Sequence, residues 1–193
     1  MIDEAPNTPG PSSRPALDSG TGAQVLELDA EAFTSAIPRL VELSLDAVAG
    51  GASINFLATT DAARVEAWWD ARSGSVAAGL TSLFVAVLGD RIVGCTLLVR
   101  SGNPNSPHRA EIGKVIVDRA ARRRGIATAL MLAAEARAKA DGRWMLVLDT
   151  VTGSPADALY RSLGWNETGV VPDYALSPDG RPEAATFFWK DLR

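Results

Sequence analysis

Val115-Ile116-Val117, a basic turn containing Arg122-Arg123-Arg124-Gly125-Ile126-Ala127, and an alanine-rich run after it form the stretch on which the reading of this chain turns. The β-branched triplet favours a strand, and the alanine-rich run favours a helix. A strand that passes through a short turn into a helix leaves the first helical N–H groups without intrahelical acceptors, and the helix dipole adds positive potential there. Phosphate oxygens suit such a place. Gly125 has no Cβ to hold a pyrophosphate away from the main chain, and Ala127 is nearly as small. A P-loop needs a second glycine and Lys-Ser or Lys-Thr, and a dinucleotide fingerprint needs Gly-x-Gly-x-x-Gly; neither occurs in the turn. The bland alternative is a strand, a solvated arginine turn and an ordinary helix.

Working outward, residues 144–148 form an apolar run of strand character, read as a buried parallel strand that ends at Asp149-Thr150. Residues 154–163 read as a helix, with Ser154 as N-cap, Pro155 in its first turn and Gly164 just past its end. Upstream, residues 23–28 read as a first strand, 32–49 as a helix and 60–72 as a second helix capped by Thr60. Residues 81–88 and 91–99 flank Gly89-Asp90 as a hairpin. Residues 109–117 form a central strand, and 165–171 and 184–190 close the sheet across a Pro/Gly loop at 172–182. Residues 1–22, rich in Pro, Gly, Ser and Asp, are expected to be a disordered tail on one domain spanning 23–193.

The pattern Arg-x-x-Gly-x-Ala after Val-x-Val resembles the pyrophosphate-binding motif of the GCN5-related N-acetyltransferases (GNAT), with Arg122, Gly125 and Ala127 on its defining positions. Ala156, Leu159-Tyr160 and Gly164-Trp165 match the superfamily's second helix in order, and Glu111 precedes Arg122 by the spacing of the general base in the histone-acetylating branch. A closer resemblance, to the tabtoxin-resistance acetyltransferase group, is carried by His108-Arg109-Ala110-Glu111, Leu148-Asp149-Thr150, Pro172-Asp173-Tyr174-Ala175-Leu176 and Thr186-Phe187-Phe188. Residues 23–192 are covered in all. The resemblance implies an α/β (α+β) acyl-CoA N-acyltransferase fold, a mixed central sheet of about seven strands with about four helices.

It also implies acetyl-CoA as cosubstrate, no metal, and direct transfer of acetyl to a primary amine of a small molecule, such as an amino-acid-like or peptide-like toxin or antibiotic. An amine is a cation at neutral pH and must lose a proton before it attacks a thioester. Glu111 is assigned as general base and Asp149 as ammonium anchor or second base, although a strand-edge charge and a strand-end cap are the bland readings. Tyr160 matches the tyrosine that protonates the departing thiolate, with a core aromatic as its alternative. The cofactor contacts implied are Val115, Ile116, Val117, Arg122, Arg123, Arg124, Gly125, Ile126, Ala127, Thr128 and Tyr160, with an oxyanion donor among the strand amides near Ile116 or Val117. Two positions depart from the family: Arg119 stands where Pro is common, and Gly153 where an Asn touches the pantetheine arm, a contact that is then either absent or supplied otherwise, with Ser154 and Asp157 as candidates.

Composition agrees. A chain of 193 residues with 47% hydrophobic content forms one ordinary core, and the net charge of −4 gives no general attraction to nucleic acid. With one cysteine, Cys95, no internal disulfide can form, and no apolar run reaches membrane-spanning length. The acidic N-terminal segment carries no secretory signal, so the expected location is cytoplasmic. Cys95 reads as a buried small hydrophobe, His108 lacks companion metal ligands, and Trp68 and Trp69 read as core or groove wall. No nucleic-acid or membrane partner is expected, and a homodimer is a compatible assembly. The rival functions are protein N-terminal or lysine acetylation and a non-catalytic acyl-CoA-binding module; the presence of Glu111, Asp149 and Tyr160 together favours an enzyme.

Overall fold

The computed structural model describes residues 14–18 and 22–193. One mixed sheet holds eight strands in the order β1-β2-β3-β4-β5-β6-β8-β7: β1 Arg14–Asp18, β2 Gln24–Leu28, β3 Thr81–Leu88, β4 Arg91–Arg100, β5 Arg109–Val117, β6 Met145–Val151, β7 Asn166–Leu176 and β8 Pro182–Asp191. All neighbours are antiparallel except β5 and β6. The helices are α1 Ala30–Ala49, α2 Ala62–Asp70, α3 Ser73–Ala77, α4 Ile126–Ala140 and α5 Pro155–Ser162.

Helices cover both faces of the central strands, which is why those strands read as continuous apolar runs. Along β3, Phe84 and Ala86 face a core filled by Ile126, Leu130, Met131 and Ala134 of α4, while Leu83 and Val85 face a second core with Phe33, Ile37 and Leu40 of α1 and Trp69 of α2. Gly94 on β4 lets α4 close in: a Cβ there would stand 2.9 Å from the Ile116 carbonyl and 3.2 Å from Leu130.

Four expectations are revised. Arg14–Asp18, within the presumed tail, pairs antiparallel with β2; an edge strand needs backbone partners rather than a large apolar face, and Pro15 is tolerated at an edge. Residues 1–13 and 19–21 lie outside the described residues. The second helix starts later than expected, capped by Asp61, which accepts from the Arg64 amide at 2.8 Å, because the Thr60 hydroxyl is taken by the Leu57 amide. The Pro/Gly loop shrinks to 177–181, since β7 absorbs Pro172-Asp173 as an irregularity (Asp173 φ 50°) and resumes pairing at Ala175. Finally, β6 runs on to Val151 because β8 continues to pair with it, so Asp149 lies within the strand and not at its end.

Candidate active site

The site is organised by a fault in the sheet. β5 pairs with β6 only over Arg109↔Met145, Ala110↔Leu146 and Glu111↔Val147, and the two strands then part. On its other side β5 bulges against β4: Cys95 faces Ile116 but Leu97 faces Gly113, so extra residues crowd in at Lys114 and Val115, and Lys114 takes φ 55°. The irregularity thus begins at Lys114, just upstream of the Ile116 and Val117 amides expected as oxyanion donors, both of which keep a β4 partner.

Below the fault, the basic turn is held at both ends. Asp118 donates its amide to the Val93 carbonyl, accepts from the Ala120 amide and pairs with Arg39 at 2.7 Å. Arg119, where Pro was the family habit, reaches α1 and pairs with Asp46 at 2.7 Å. Arg122 donates to the Val117 carbonyl at 3.2 Å, and Arg122, Arg123 and Arg124 are all exposed. Arg123 and Gly125 adopt left-handed φ of 65° and 77°, the geometry that turns the chain into α4. Gly125 is the N-cap and offers no side-chain acceptor, and the first turn of α4 has no acidic residue. The leading amides around Ile126, Ala127 and Thr128 are therefore left to an outside anion. Val115 and Val117 pack on the α4 core and Ile116 on the α1 core, so the triplet fixes the turn from both faces.

At the start of α5, Ser154 caps the helix by accepting from the Asp157 amide at 3.2 Å. Asp157 is buried and engaged: it accepts from the Gly153 amide at 3.0 Å and the Thr186 hydroxyl at 3.2 Å and pairs with Arg161 at 2.5 Å. These bonds hold its carboxyl below the usual range. Asp157 secures the α5 terminus and is not free to replace the missing Asn, a correction to the expected cofactor contact. Tyr160 is buried against Trp165 and Phe188, and burial, then the Asp149 charge, pushes its phenol upward. The phenol therefore stays protonated and can donate a hydrogen bond.

The carboxylates lie on the other face. Glu111 is in register with Val147, and Asp149 follows two residues on, so both side chains share one face of the sheet, opposite the α4 and α5 side. Phe187 of β8 pairs with Asp149 and stacks edge-on against Tyr174 at 5.0 Å. Both carboxyls are raised, Glu111 by desolvation and then by Asp149, and Asp149 by desolvation.

Sequence reasoning missed Lys114. Its ammonium lies 4.5 Å from the Trp68 ring centre and 5.8 Å from that of Phe56, and burial, then Arg72, pushes it down to about 8. The signal was a lysine directly ahead of the apolar Val115-Ile116-Val117 run of β5. Arg72, stacked 3.0 Å from the same indole, was also missed. The tryptophans divide: Trp69 is core, donating to Ser44 at 3.0 Å, and Trp68 is half-buried at the edge of the same core. The segment that carries Phe56 is tied to the end of β7 and the turn after it by the Ala58 amide on the Pro178 carbonyl, 2.8 Å, and the Ser53 hydroxyl on the Leu176 carbonyl, 3.2 Å. Cys95 is buried and weakly bonded to the Lys114 carbonyl, its thiol pushed up to about 12 by burial, an inert core position. His108 stacks on Trp144 at 4.4 Å. No described helix is long and apolar enough to cross a membrane.

This architecture recurs in solved structures. The yncA protein of Salmonella typhimurium, solved with its cofactor acetyl-CoA, superposes with a TM-score of 0.70 at 20% identity over 89% of this chain and 94% of that one. An N-acetyltransferase from Staphylococcus aureus Mu50 gives 0.69 at 19% identity over 89% and 99%. A ribosomal-protein-alanine N-acetyltransferase from Brucella melitensis gives 0.65 at 25% identity over 82% and 96%. The sequence profile of the acetyltransferase (GNAT) family matches residues 43–165, nearly two thirds of the chain and the stretch from α1 through the basic turn to Trp165. The chain therefore belongs to the GNAT family of acetyl-CoA-dependent N-acetyltransferases.

Proposed function

We propose that this enzyme acetylates a primary amine of a small molecule of the amino-acid or peptide class, as the resemblance to the tabtoxin-resistance group implies, with Glu111 as general base, Asp149 as ammonium anchor and Tyr160 as proton donor to the leaving thiolate. The observation that carries the reading is the pair of raised carboxyls on one sheet face at the place where β5 and β6 part. A base must compete for a proton that a bound ammonium holds tightly, so an upward-shifted carboxylate beside a second one is better matched to the task than a solvated one.

The pyrophosphate of acetyl-CoA fits the turn by the donor set present: amides without an internal acceptor, an N-cap lacking Cβ, three exposed guanidiniums and no acidic residue in the first turn. The parted strands leave a slot for the acetyl-bearing arm. On one side of it Asp149 holds the incoming ammonium and Glu111 takes its proton, directly or through water; the neutral amine then attacks the thioester carbonyl. On the other side Tyr160 gives a proton to the departing sulfur, so no acyl-enzyme is needed. The likeness to a ribosomal-protein-alanine N-acetyltransferase favours a peptide N-terminus as the second reading of the acceptor.

A turnover screen with acetyl-CoA across amino acids, short peptides, aminoglycosides and polyamines tests this. Thiol release with an amino acid or peptide, lost in Asp149→Asn, is the expected result; turnover confined to polyamines or aminoglycosides would overturn the acceptor class.

A further inference from the structure

Two cations of the acceptor side have no anionic partner. Three of the more deeply buried cations do: Arg39 pairs with Asp118, Arg100 with Asp141 and Lys190 with Glu135, whereas Lys114 and Arg72 are half-buried. Buried charges are ordinarily paired because the low-dielectric interior penalises an isolated one. Yet among the described residues no carboxylate lies within 4.0 Å of Lys114 or Arg72. The Lys114 ammonium faces the rings of Trp68 and Phe56. The Arg72 guanidinium, at the junction of α2 and α3, stacks on the same Trp68 and donates only to the Trp68 carbonyl in the last turn of α2, 2.5 Å away. Their mutual repulsion helps to push the Lys114 ammonium down.

The acceptor side is thus divided by charge. Two carboxylates, Glu111 and Asp149, repel one another on β5 and β6, and two cations repel one another on a single indole. Lys114 follows Glu111 by three residues across the β5 bulge, so the two halves adjoin, and the Lys114 charge is felt by both carboxylates. A plain alkylamine would answer the carboxylates and leave the cations as they are. A molecule carrying an amine and, a few bonds away, a carboxylate answers both halves.

We propose that Lys114 and Arg72, backed by Trp68, receive the carboxylate of a zwitterionic acceptor, a free amino acid or the C-terminus of a very short peptide, while its amine meets Glu111 and Asp149. This rests on the acetyl-transfer reading above. Arg72 presents a planar fork suited to two carboxylate oxygens, and Lys114 adds a point charge from the bulge. The indole keeps water from one side of the pair.

The experiment offers each of several L-amino acids as free acid and as carboxamide and compares kcat/KM. The amine of the amide is less basic, so more of it is unprotonated near neutral pH and intrinsic reactivity favours the amide; a preference for the acid must come from recognition. The wild type is expected to prefer the acid on the order of tenfold to a hundredfold. Lys114→Met and Arg72→Gln should each cut that ratio roughly tenfold with acetyl-CoA affinity unchanged, and Arg72→Lys should restore only part of it, because an ammonium keeps the charge and loses the fork. An unchanged ratio in both folded variants, or a wild type preferring amides, overturns the assignment while leaving acetyl transfer standing. If no amine is turned over, acetyl transfer to this class falls instead, and calorimetry with N-acetylglycine reads the cations directly: binding lost in Lys114→Met supports them, and no binding to the wild type overturns them.

Discussion

The two sides of the parted strands are made of different material. On the proposed cofactor side, from Val115 to Thr128, the groups on offer are main-chain amides, a glycine and a helix end, all within one short stretch of sequence. On the proposed acceptor side, Phe56, Trp68 and Arg72, Glu111 and Lys114, Asp149, Tyr174 and Phe187 come from segments spread over most of the chain, and the groups on offer are side chains. Backbone chemistry tolerates changes of residue type as long as the turn is kept; side-chain chemistry does not. One side can therefore stay constant across a family while the other adapts to its acceptor, which is why a shared fold leaves the substrate open.

The sharpest way to break this contrast is Gly125→Val. A β-branched residue at φ 77° is strained, and its Cβ occupies the approach to the leading amides of α4. We expect acetyl-CoA affinity to fall by roughly a hundredfold or more, a loss of about 3 kcal/mol; calorimetry on the folded variant decides, and an unchanged Kd would detach the turn from the cofactor. Next comes Glu111→Gln, for which we expect kcat to drop on the order of a hundredfold with little change in acetyl-CoA affinity. Because burial raises the Glu111 carboxyl above its ordinary 4.5, its ionisation costs the fold stability as pH rises, so the Gln variant should melt no lower than the wild type at pH 7. Wild-type turnover should rise with pH as Glu111, Asp149 and the acceptor amine lose protons.

Gly94→Ala probes the frame shared by both sides. Its new Cβ meets the Ile116 carbonyl at 2.9 Å, so β5 or α4 must shift, at a cost of about 1–3 kcal/mol in unfolding free energy. A denaturant midpoint equal to that of the wild type would show that the bulge is softer than its packing suggests. Lys114→Met sharpens the contrast on the acceptor side. Its ammonium is pushed from 10.5 down to about 8, so the stability linked to it is present above 10.5 and lost as pH falls through about 8. The Met variant should therefore melt higher at pH 7, by roughly 2–4 °C, with the gain fading toward pH 10.5. The groups facing this lysine, Arg72, Cys95, Asp149 and Glu111, set the curve's shape, and a gain that persists at high pH would mean that packing rather than charge is responsible. The smallest effect belongs to Arg119→Ala: an exposed ion pair with Asp46 is worth roughly 0–1 kcal/mol, and a larger loss of stability would give the turn a stiffer anchor than its geometry suggests.

Legibility followed the same division. The basic turn, the α5 caps and the β3–β4 hairpin could be read because their signals are local: a glycine at a left-handed position, a Ser-Pro start, a two-residue turn. Asp149 was placed at a strand end because Gly153 and Pro155 follow it, whereas pairing with β8, remote in sequence, carries β6 through it. Asp157 looked available for the cofactor until the fold brought Thr186 and the Gly153 amide onto it. Lys114 was passed over because a positive φ at a non-glycine residue, and an aromatic wall supplied by α2, are tertiary facts. The strand at Arg14–Asp18 was hidden in a composition that signals disorder, since an edge strand is stabilised mainly by its neighbour's backbone.

The most direct test of the account is a crystal structure of the enzyme with acetyl-CoA. The account predicts pyrophosphate oxygens about 3 Å from the amides at the start of α4, and the acetyl group in the slot between β5 and β6, with Glu111 and Asp149 on one side and the Tyr160 hydroxyl on the other. A pyrophosphate seated elsewhere, or an acetyl group on the far side of β5 from Asp149, would contradict it.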